Sequence, residues 1–162
     1  MSMTHYMELL TTNEPWNLIL FMAIPVILAE TIAVTELYVL CTRMYNGTMR
    51  TINRICSIVV GIYFVGVFIY LFTTAVLPLT SAGAWRGPAD VIAVSFYLLG
   101  VIPLGGIALV DLKVIGGARD EHNRMALHAA FVAMFLVVAH VAMIFGMVDP
   151  AILTAGISNP MG

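Results

Sequence analysis

The sequence predicts an all-α membrane protein, a single bundle of four transmembrane helices with both termini on the non-cytoplasmic side. Three observations lead to this prediction. Of the 162 residues, 61% are hydrophobic and 10% are charged, whereas roughly a quarter of the residues in a soluble domain are charged. Four apolar stretches are long enough to cross a bilayer core about 30 Å thick, which takes roughly 20 residues. The basic residues are concentrated in two of the three loops between these stretches.

The four predicted spans follow one another with short loops and form one domain that covers residues 1–162. They extend over about residues 16–42, 52–77, 89–112 and 124–148. Residues 1–14 suit either a short interfacial helix or a disordered tail, and residues 150–162 suit a loose tail. Residues that form turns or end helices bound the spans: Pro15, Asn46, Gly47, Pro78, Gly87, Pro88, Gly116, Gly117, Asp149 and Pro150.

Prolines and glycines inside the spans predict where the helices bend and where they approach closely. Pro25 and Pro103 are expected to kink the first and third spans, because proline lacks the backbone N–H of a regular helix. Membrane helices pack through close contact at small residues. Five glycines are candidates for such contacts: Gly61, Gly66, Gly100, Gly105 and Gly106.

The distribution of basic residues predicts the orientation. Six of them lie in the first and third loops or at the adjoining ends of the spans, and only Arg86 lies in the second loop. Because cytoplasmic loops carry the excess of Lys and Arg, the termini are predicted to be extracytoplasmic. Cys41 and Cys56 then lie near the reducing side and are expected to be free thiols. The six basic residues are Arg43, Arg50, Arg54, Lys113, Arg119 and Arg124.

Polar residues inside the spans are candidates for a proton or cation pathway, because ionisable groups in a membrane are costly. At a rise of about 1.5 Å per residue, Glu30 lies roughly 21 Å below Trp16, past the midplane. A broken polar track is completed by His140, His128, Glu36 and Asp111. The alternative is that these groups only hold the helices together through hydrogen bonds and salt bridges.

A stripe of sulfur and imidazole ligands suggests a metal site. Met143 and Met147 follow His140 at i+3 and i+7, so the three share one helix face. Met22 lies at a similar depth on the first span, and His5 lies just outside the membrane. These soft ligands suit copper, especially Cu(I). Methionine is also a common filler of apolar helices.

Haem b is the alternative cofactor. Axial ligation usually joins two residues from facing helices, but His128 and His140 share one helix and the first three spans contain no histidine. A haem would need His5, a methionine or a second chain as its other ligand.

Several function classes are not supported. There is no basic patch for nucleic acid, and no nucleophile with its base, phosphate-binding glycine loop or zinc motif is present. The sequence therefore does not favour an enzyme.

Four stretches resemble a group of small bacterial inner-membrane proteins that are labelled only as permease-like. The resemblance would cover nearly the whole chain and implies a multi-pass protein of the bacterial inner (cytoplasmic) membrane, but no activity. The stretches are MTHYMELL (3–10), NEPWNLILFMAIPVILAETIAVTEL (13–37), WRGPAD (85–90) and HAAFVAMFLVVAHVAMIFGMVDP (128–150).

The sequence thus favours a small permease-like protein that moves or senses a proton or a metal cation, with Glu30 and His140 as its central polar groups. One alternative is a haem- or quinone-linked membrane redox protein. Another is an accessory subunit of a larger membrane complex. Because four helices are few for a complete translocation path, a homodimer is expected.

Overall fold

The computed structural model describes residues 3–150, and the regular structure in this part of the chain is helical. Helix α1 (His5–Thr11) precedes four long helices. These are α2 (Trp16–Thr42), α3 (Thr48–Ala82), α4 (Pro88–Asp111) and α5 (Glu121–Met147). All four are long and apolar enough to cross a membrane, which confirms the predicted number of spans. Apart from Pro150, the predicted tail over residues 150–162 lies outside the described residues.

The four long helices form a ring in chain order, and the ring is least tightly closed between α2 and α5. One end of the bundle carries the basic loops and is called the basic end below. The opposite end, which α1 covers, is called the α1 end. An apolar core lies in the middle of the ring, where Ile32, Val60, Phe64, Leu104 and Phe135 pack together.

Helix α3 is longer than the predicted span of residues 52–77. Pro78 was expected to end the helix, and this expectation was wrong. A π-helical turn, Phe72–Val76, lies just before the proline and accommodates it. The wider turn avoids the clash and the missing hydrogen bond that proline imposes on a regular α-helix. The helix continues to Ala82 and ends at Gly83, whose φ of 61° is left-handed.

The irregularity expected at Pro25 is a second π-helical turn, Ile19–Ala23. Within it, the N–H of Ile24 donates to the carbonyl oxygen of Ile19, five residues earlier. Such a turn leaves one carbonyl without its helical donor, and the proline that follows leaves another.

Two tyrosines from neighbouring helices satisfy these two carbonyls. The Tyr63 hydroxyl of α3 donates to the oxygen of Leu20 at 2.7 Å. The Tyr97 hydroxyl of α4 donates at 2.6 Å to the oxygen of Phe21, four residues before Pro25. The bend in α2 is therefore held by hydrogen bonds from both α3 and α4.

The third span is interrupted at Gly100, three residues before Pro103. It consists of the segments Pro88–Leu99 and Val101–Asp111. The N–H of Gly100 donates to Tyr97 O, three residues earlier, instead of four. The irregularity thus lies one turn before the proline, where the helix loses the proline's hydrogen bond.

Two of the five glycines mark the closest helix contacts. A Cβ at Gly61 would lie 2.5 Å from Ala108 Cβ and 2.9 Å from Leu104 O, so α3 and α4 meet here. A Cβ at Gly106 would lie 2.7 Å from the Phe131 ring of α5. Gly66 and Gly105 were expected to have the same function, but no atom lies within 4 Å of a Cβ built on them.

Helix α1 is docked on the bundle through specific contacts. The Thr4 hydroxyl caps the helix and donates to the oxygen of Gly146 at 2.7 Å. Arg86 forms an ion pair with Glu8. Tyr6 is buried, and burial raises the pKa of its hydroxyl from 10.0 to about 12. The N-terminal segment therefore contains a helix, one of the two alternatives that its sequence allowed.

Candidate functional site

A cluster of polar side chains is buried inside the bundle, in the half nearer the basic end. Four helices contribute to it, and each member is at most 8% exposed. The members are Glu36 of α2, Arg50, Asn53 and Ser57 of α3, Asp111 of α4 and His128 of α5.

His128 lies at the centre of this cluster, between two carboxylates. Its Nδ1 is 2.9 Å from Glu36 Oε1. Its Nε2 is 2.9 Å from Ser57 Oγ and 3.2 Å from Asp111 Oδ2. The second of these contacts is an electrostatic approach, since Asp111 Oδ2 accepts no well-aligned hydrogen bond from the described residues. The imidazole thus connects α5 to the other three helices.

The hydrogen-bond directions assign the protons around His128. The Ser57 hydroxyl donates to the backbone carbonyl oxygen of Asn53 at 2.8 Å, so the hydroxyl oxygen of Ser57 is free to accept. The carboxylate oxygen Asp111 Oδ2, 3.2 Å away, favours a hydrogen on Nε2, which can then donate to Ser57. A second proton is then needed between Nδ1 and Glu36, on one atom or the other, to form the 2.9 Å hydrogen bond. This pair shares one proton.

The remaining charge in the cluster is a buried arginine. Arg50 forms an ion pair with Asp111 and also donates to Asn53 Oδ1 at 2.9 Å. Asn53 in turn donates to the Ile32 oxygen and to Thr35 Oγ1, each at 3.1 Å. These hydrogen bonds fix the arginine against α2 as well as α4.

The structure thus brings together three of the five predicted pathway residues, namely Glu36, Asp111 and His128. Sequence reasoning missed Asn53 and Ser57 and treated Arg50 as a loop cation. One signal could have identified them, because spacings of three and four residues place all three on one face of a helix.

An open polar cavity of about 660 Å³ leads from the basic end to this cluster. Arg50 and Asp111 form part of its wall, so Asp111 contacts both the cavity and His128. Arg54, Lys113 and Arg124 also line it. Four basic and two acidic side chains give the cavity an excess of positive charge.

Glu30, near the middle of α2, and His140, in the part of α5 nearer the α1 end, lie away from this cluster. Both are exposed, and both line a crevice between α2 and α5. His140 Nδ1 donates to the oxygen of Leu136 at 2.6 Å, which leaves Nε2 available. No hydrogen bond joins Glu30 and His140, so the direct pair that sequence reasoning considered does not form in the described residues.

The apolar core separates these two polar regions. Ile32, Phe64 and Leu104 are at most 1% exposed and pack between the crevice and the His128 cluster. The predicted track is therefore broken in this conformation by a layer of hydrocarbon.

The predicted copper ligands are only partly assembled. Met22 and Met143 line the crevice together with His140, and Met147 lines an adjoining cavity with the same two methionines. His5 is instead held by Asp90, 2.6 Å from its ring nitrogen. Among residues 3–150, no group of three or more His, Cys, Asp or Glu side chains is arranged to hold a metal ion. Copper binding by methionine and His140 stays a prediction.

Haem ligation by His128 does not fit this arrangement. Both ring nitrogens already have partners, Glu36 on one side and Ser57 on the other. An axial ligand needs a free nitrogen, so of the two histidines considered for haem only His140 has one available.

Comparison with known proteins identifies a family but no activity. The profile of DUF6803, a family of unknown function, matches residues 1–161. No curated protein and no solved structure matches the chain. The function must therefore be inferred from the arrangement of the chain's own residues.

Proposed function

The chain belongs to this family of unknown function, and we propose that it is a permease-like membrane protein that handles protons. His128 and Glu36 hold the exchangeable proton. The observation that carries the proposal is the buried imidazole placed between the carboxylates of Glu36 and Asp111.

Charge balance supports one exchangeable proton. Glu36 and Asp111 bring two negative charges, and Arg50 brings one positive charge. With the shared proton on the His128–Glu36 pair the cluster is neutral, and without it the cluster carries one negative charge. An unpaired charge in a buried site is costly. Proton loss therefore has to be coupled to a rearrangement or to another charge, as proton transport requires.

The polar cavity supplies access from the basic end. Asp111 lies in its wall and 3.2 Å from His128, so it is placed to relay a proton between water and the imidazole. The Asp111 carboxylate at this mouth is already paired with Arg50, which disfavours a metal cation as its partner. Of the two cargoes that the sequence favours, the proton fits this side better.

Glu30 is the next titratable group beyond the apolar layer. It faces the crevice with His140 and receives no hydrogen bond from the described residues. In the proposed function it accepts the proton after a conformational change opens the layer around Phe64. The bends at Pro25 and Gly100 are positions where α2 and α4 can flex.

Proton flux in liposomes tests this proposal. The purified protein is reconstituted around a trapped pH-sensitive dye, and a potassium gradient with valinomycin drives proton movement. We expect the wild-type protein to raise the flux over protein-free liposomes and Glu36→Gln, His128→Gln and Glu30→Gln to lower it at least tenfold. His122→Gln is the matched control, since this exposed histidine of α5 bonds Tyr45 outside the cluster.

Two results would contradict the proposal. One is a wild-type flux no higher than that of empty liposomes, in the presence of folded protein. The other is an unchanged flux in all three variants. If the variants lower only thermal stability, the cluster holds helices together and the accessory-subunit alternative is favoured.

The proposed placement is the bacterial inner membrane with the basic end in the cytoplasm, and Cys41 offers a test. It is an exposed free cysteine near the basic end of α2. In a Cys56→Ala background, a membrane-impermeant maleimide should label Cys41 in lysed cells but not in intact spheroplasts. Equal labelling in both would mean that the basic end faces the outside.

A further inference from the structure

We propose that the crevice between α2 and α5 is a binding site for a lipid-soluble quinone or quinol, whose ring enters from the bilayer. This site is separate from the His128 cluster, and the inference does not depend on proton transport. Below, the name α2–α5 crevice refers to this cavity, which includes Phe21, Glu30, Tyr97, Phe135, Ala139 and His140.

The position of the crevice determines the route of entry. It opens between α2 and α5, the pair of neighbouring helices with the least contact, within the part of the bundle that crosses the membrane. Tyr6 of the docked α1 also lines it, on the side of the α1 end. A ligand therefore reaches it sideways from the lipid, so a long apolar tail can remain in the bilayer.

The size and lining of the crevice select a single ring. Its volume is about 210 Å³, somewhat larger than the roughly 150 Å³ of an engineered apolar cavity that binds benzene. A porphyrin, which is four pyrrole rings across, exceeds this space. Phe21, Phe64, Phe96, Tyr97 and Phe135 contribute aromatic side chains to the wall, and such rings stack on a planar ligand.

Two polar groups indicate that the ring carries oxygen atoms. Glu30 on α2 and His140 on α5 stand on the two helices that flank the opening. The Nδ1 of His140 is engaged by Leu136, so Nε2 is the nitrogen that faces a ligand as acceptor or, when protonated, as donor. A quinone has one oxygen at each end of its ring, and a quinol has a hydroxyl at each end.

The cost of leaving Glu30 unpaired supports an occupant with polar atoms. An ionisable side chain at this depth is expensive when it faces hydrocarbon. The described residues offer Glu30 no hydrogen bond, whereas Glu36 is paired with His128. A ligand hydroxyl or carbonyl supplies the missing partner, whereas an acyl chain does not.

Binding of a short-tailed benzoquinone with a decyl chain, measured in nanodiscs by quenching of tyrosine and tryptophan fluorescence, tests the proposal. Decylbenzene has a six-membered ring of similar size and the same tail without the oxygens, and it serves as the ligand control. We expect saturable binding of the quinone at one site per chain and at least tenfold weaker binding of decylbenzene in competition.

Two pairs of variants locate the site. Ala139→Phe fills the crevice and should weaken quinone binding at least tenfold, whereas Ala133→Phe, at an exposed position of the same helix, should leave it unchanged. His140→Leu and Glu30→Leu remove the polar partners and should each weaken quinone binding at least fivefold. Glu30→Gln keeps a polar group and should weaken binding less than Glu30→Leu does. Because His140 is exposed, its variant tests the proposal even if Ala139→Phe does not fold.

Three outcomes would overturn the proposal. Equal quenching in Ala133→Phe and Ala139→Phe would mean that the quinone only partitions into lipid. Equal affinity for decylbenzene would make the crevice an apolar gap for lipid chains. A dimer in light scattering that dissociates only in Ala139→Phe, without quinone binding, would show that a second copy covers the crevice. Loss of proton flux with intact quinone binding would instead affect only the proposed function.

Discussion

Replacement of Arg50 by leucine should destabilise the protein strongly, because it leaves a buried carboxylate without its partner. Asp111 is 2% exposed and Arg50 is 8% exposed, and the two form an ion pair between α3 and α4. Removal of one partner from a buried ion pair costs about 3–5 kcal/mol. Arg50→Leu also removes the 2.9 Å hydrogen bond to Asn53, so the loss is expected at the upper end of that range.

The free energy of unfolding in mixed micelles of sodium dodecyl sulfate and a mild detergent measures this loss. Arg54→Leu is the matched control, because Arg54 lies one turn further along α3 and is exposed. A surface substitution of this kind changes stability by about 0.5 kcal/mol or less. The double variant Arg50→Leu/Asp111→Leu removes one charge of each sign and leaves the neutral Glu36–His128 pair. It should recover most of the stability that the single variant loses.

The reasoning fails if Arg50→Leu and Arg54→Leu lose equal stability. It also fails if the double variant loses the sum of the stabilities that Arg50→Leu and Asp111→Leu each lose alone. Additive losses would mean that Arg50 and Asp111 are not energetically coupled in the folded protein.

Three further predictions concern packing and docking. Gly61→Ala should lower the free energy of unfolding by about 1–3 kcal/mol, because the added Cβ overlaps α4. Gly66→Ala should leave it nearly unchanged, and the same micelle titration compares the two variants. Tyr97→Phe should lower the free energy of unfolding by about 1–3 kcal/mol, because it leaves the carbonyl oxygen of Phe21 at the bend of α2 without a donor. An unchanged unfolding curve would contradict this. Because the pKa of Tyr6 is raised, docking of α1 is fully stabilised below about pH 10 and weakens as the pH rises through about 12. The N-terminal segment should become more sensitive to protease in that pH range. Tyr6→Phe should abolish this increase in sensitivity.

Much of the architecture could be predicted from the sequence, because the bilayer imposes a length and a polarity on each span. The number of long helices follows from four apolar stretches. Their ends were less certain, as Pro78 shows, since a π-helical turn can carry a helix past a proline. Six residues separate Glu30 from Glu36, so at about 100° per residue the two lie on different faces of one helix; the first is exposed and the second is buried.

Which polar groups meet was decided only by the tertiary structure. The sequence favoured Glu30 with His140, yet the paired groups are His128, Glu36 and Asp111. Depth alone does not define the rotation of a helix or its neighbours, because lipid is as apolar as the helix faces it surrounds. Rotation is set by steric fit, such as Gly61 against Ala108. Once that fit is made, the buried imidazole has two carboxylates beside it, and the Glu30 side chain is left at a crevice that opens to the lipid.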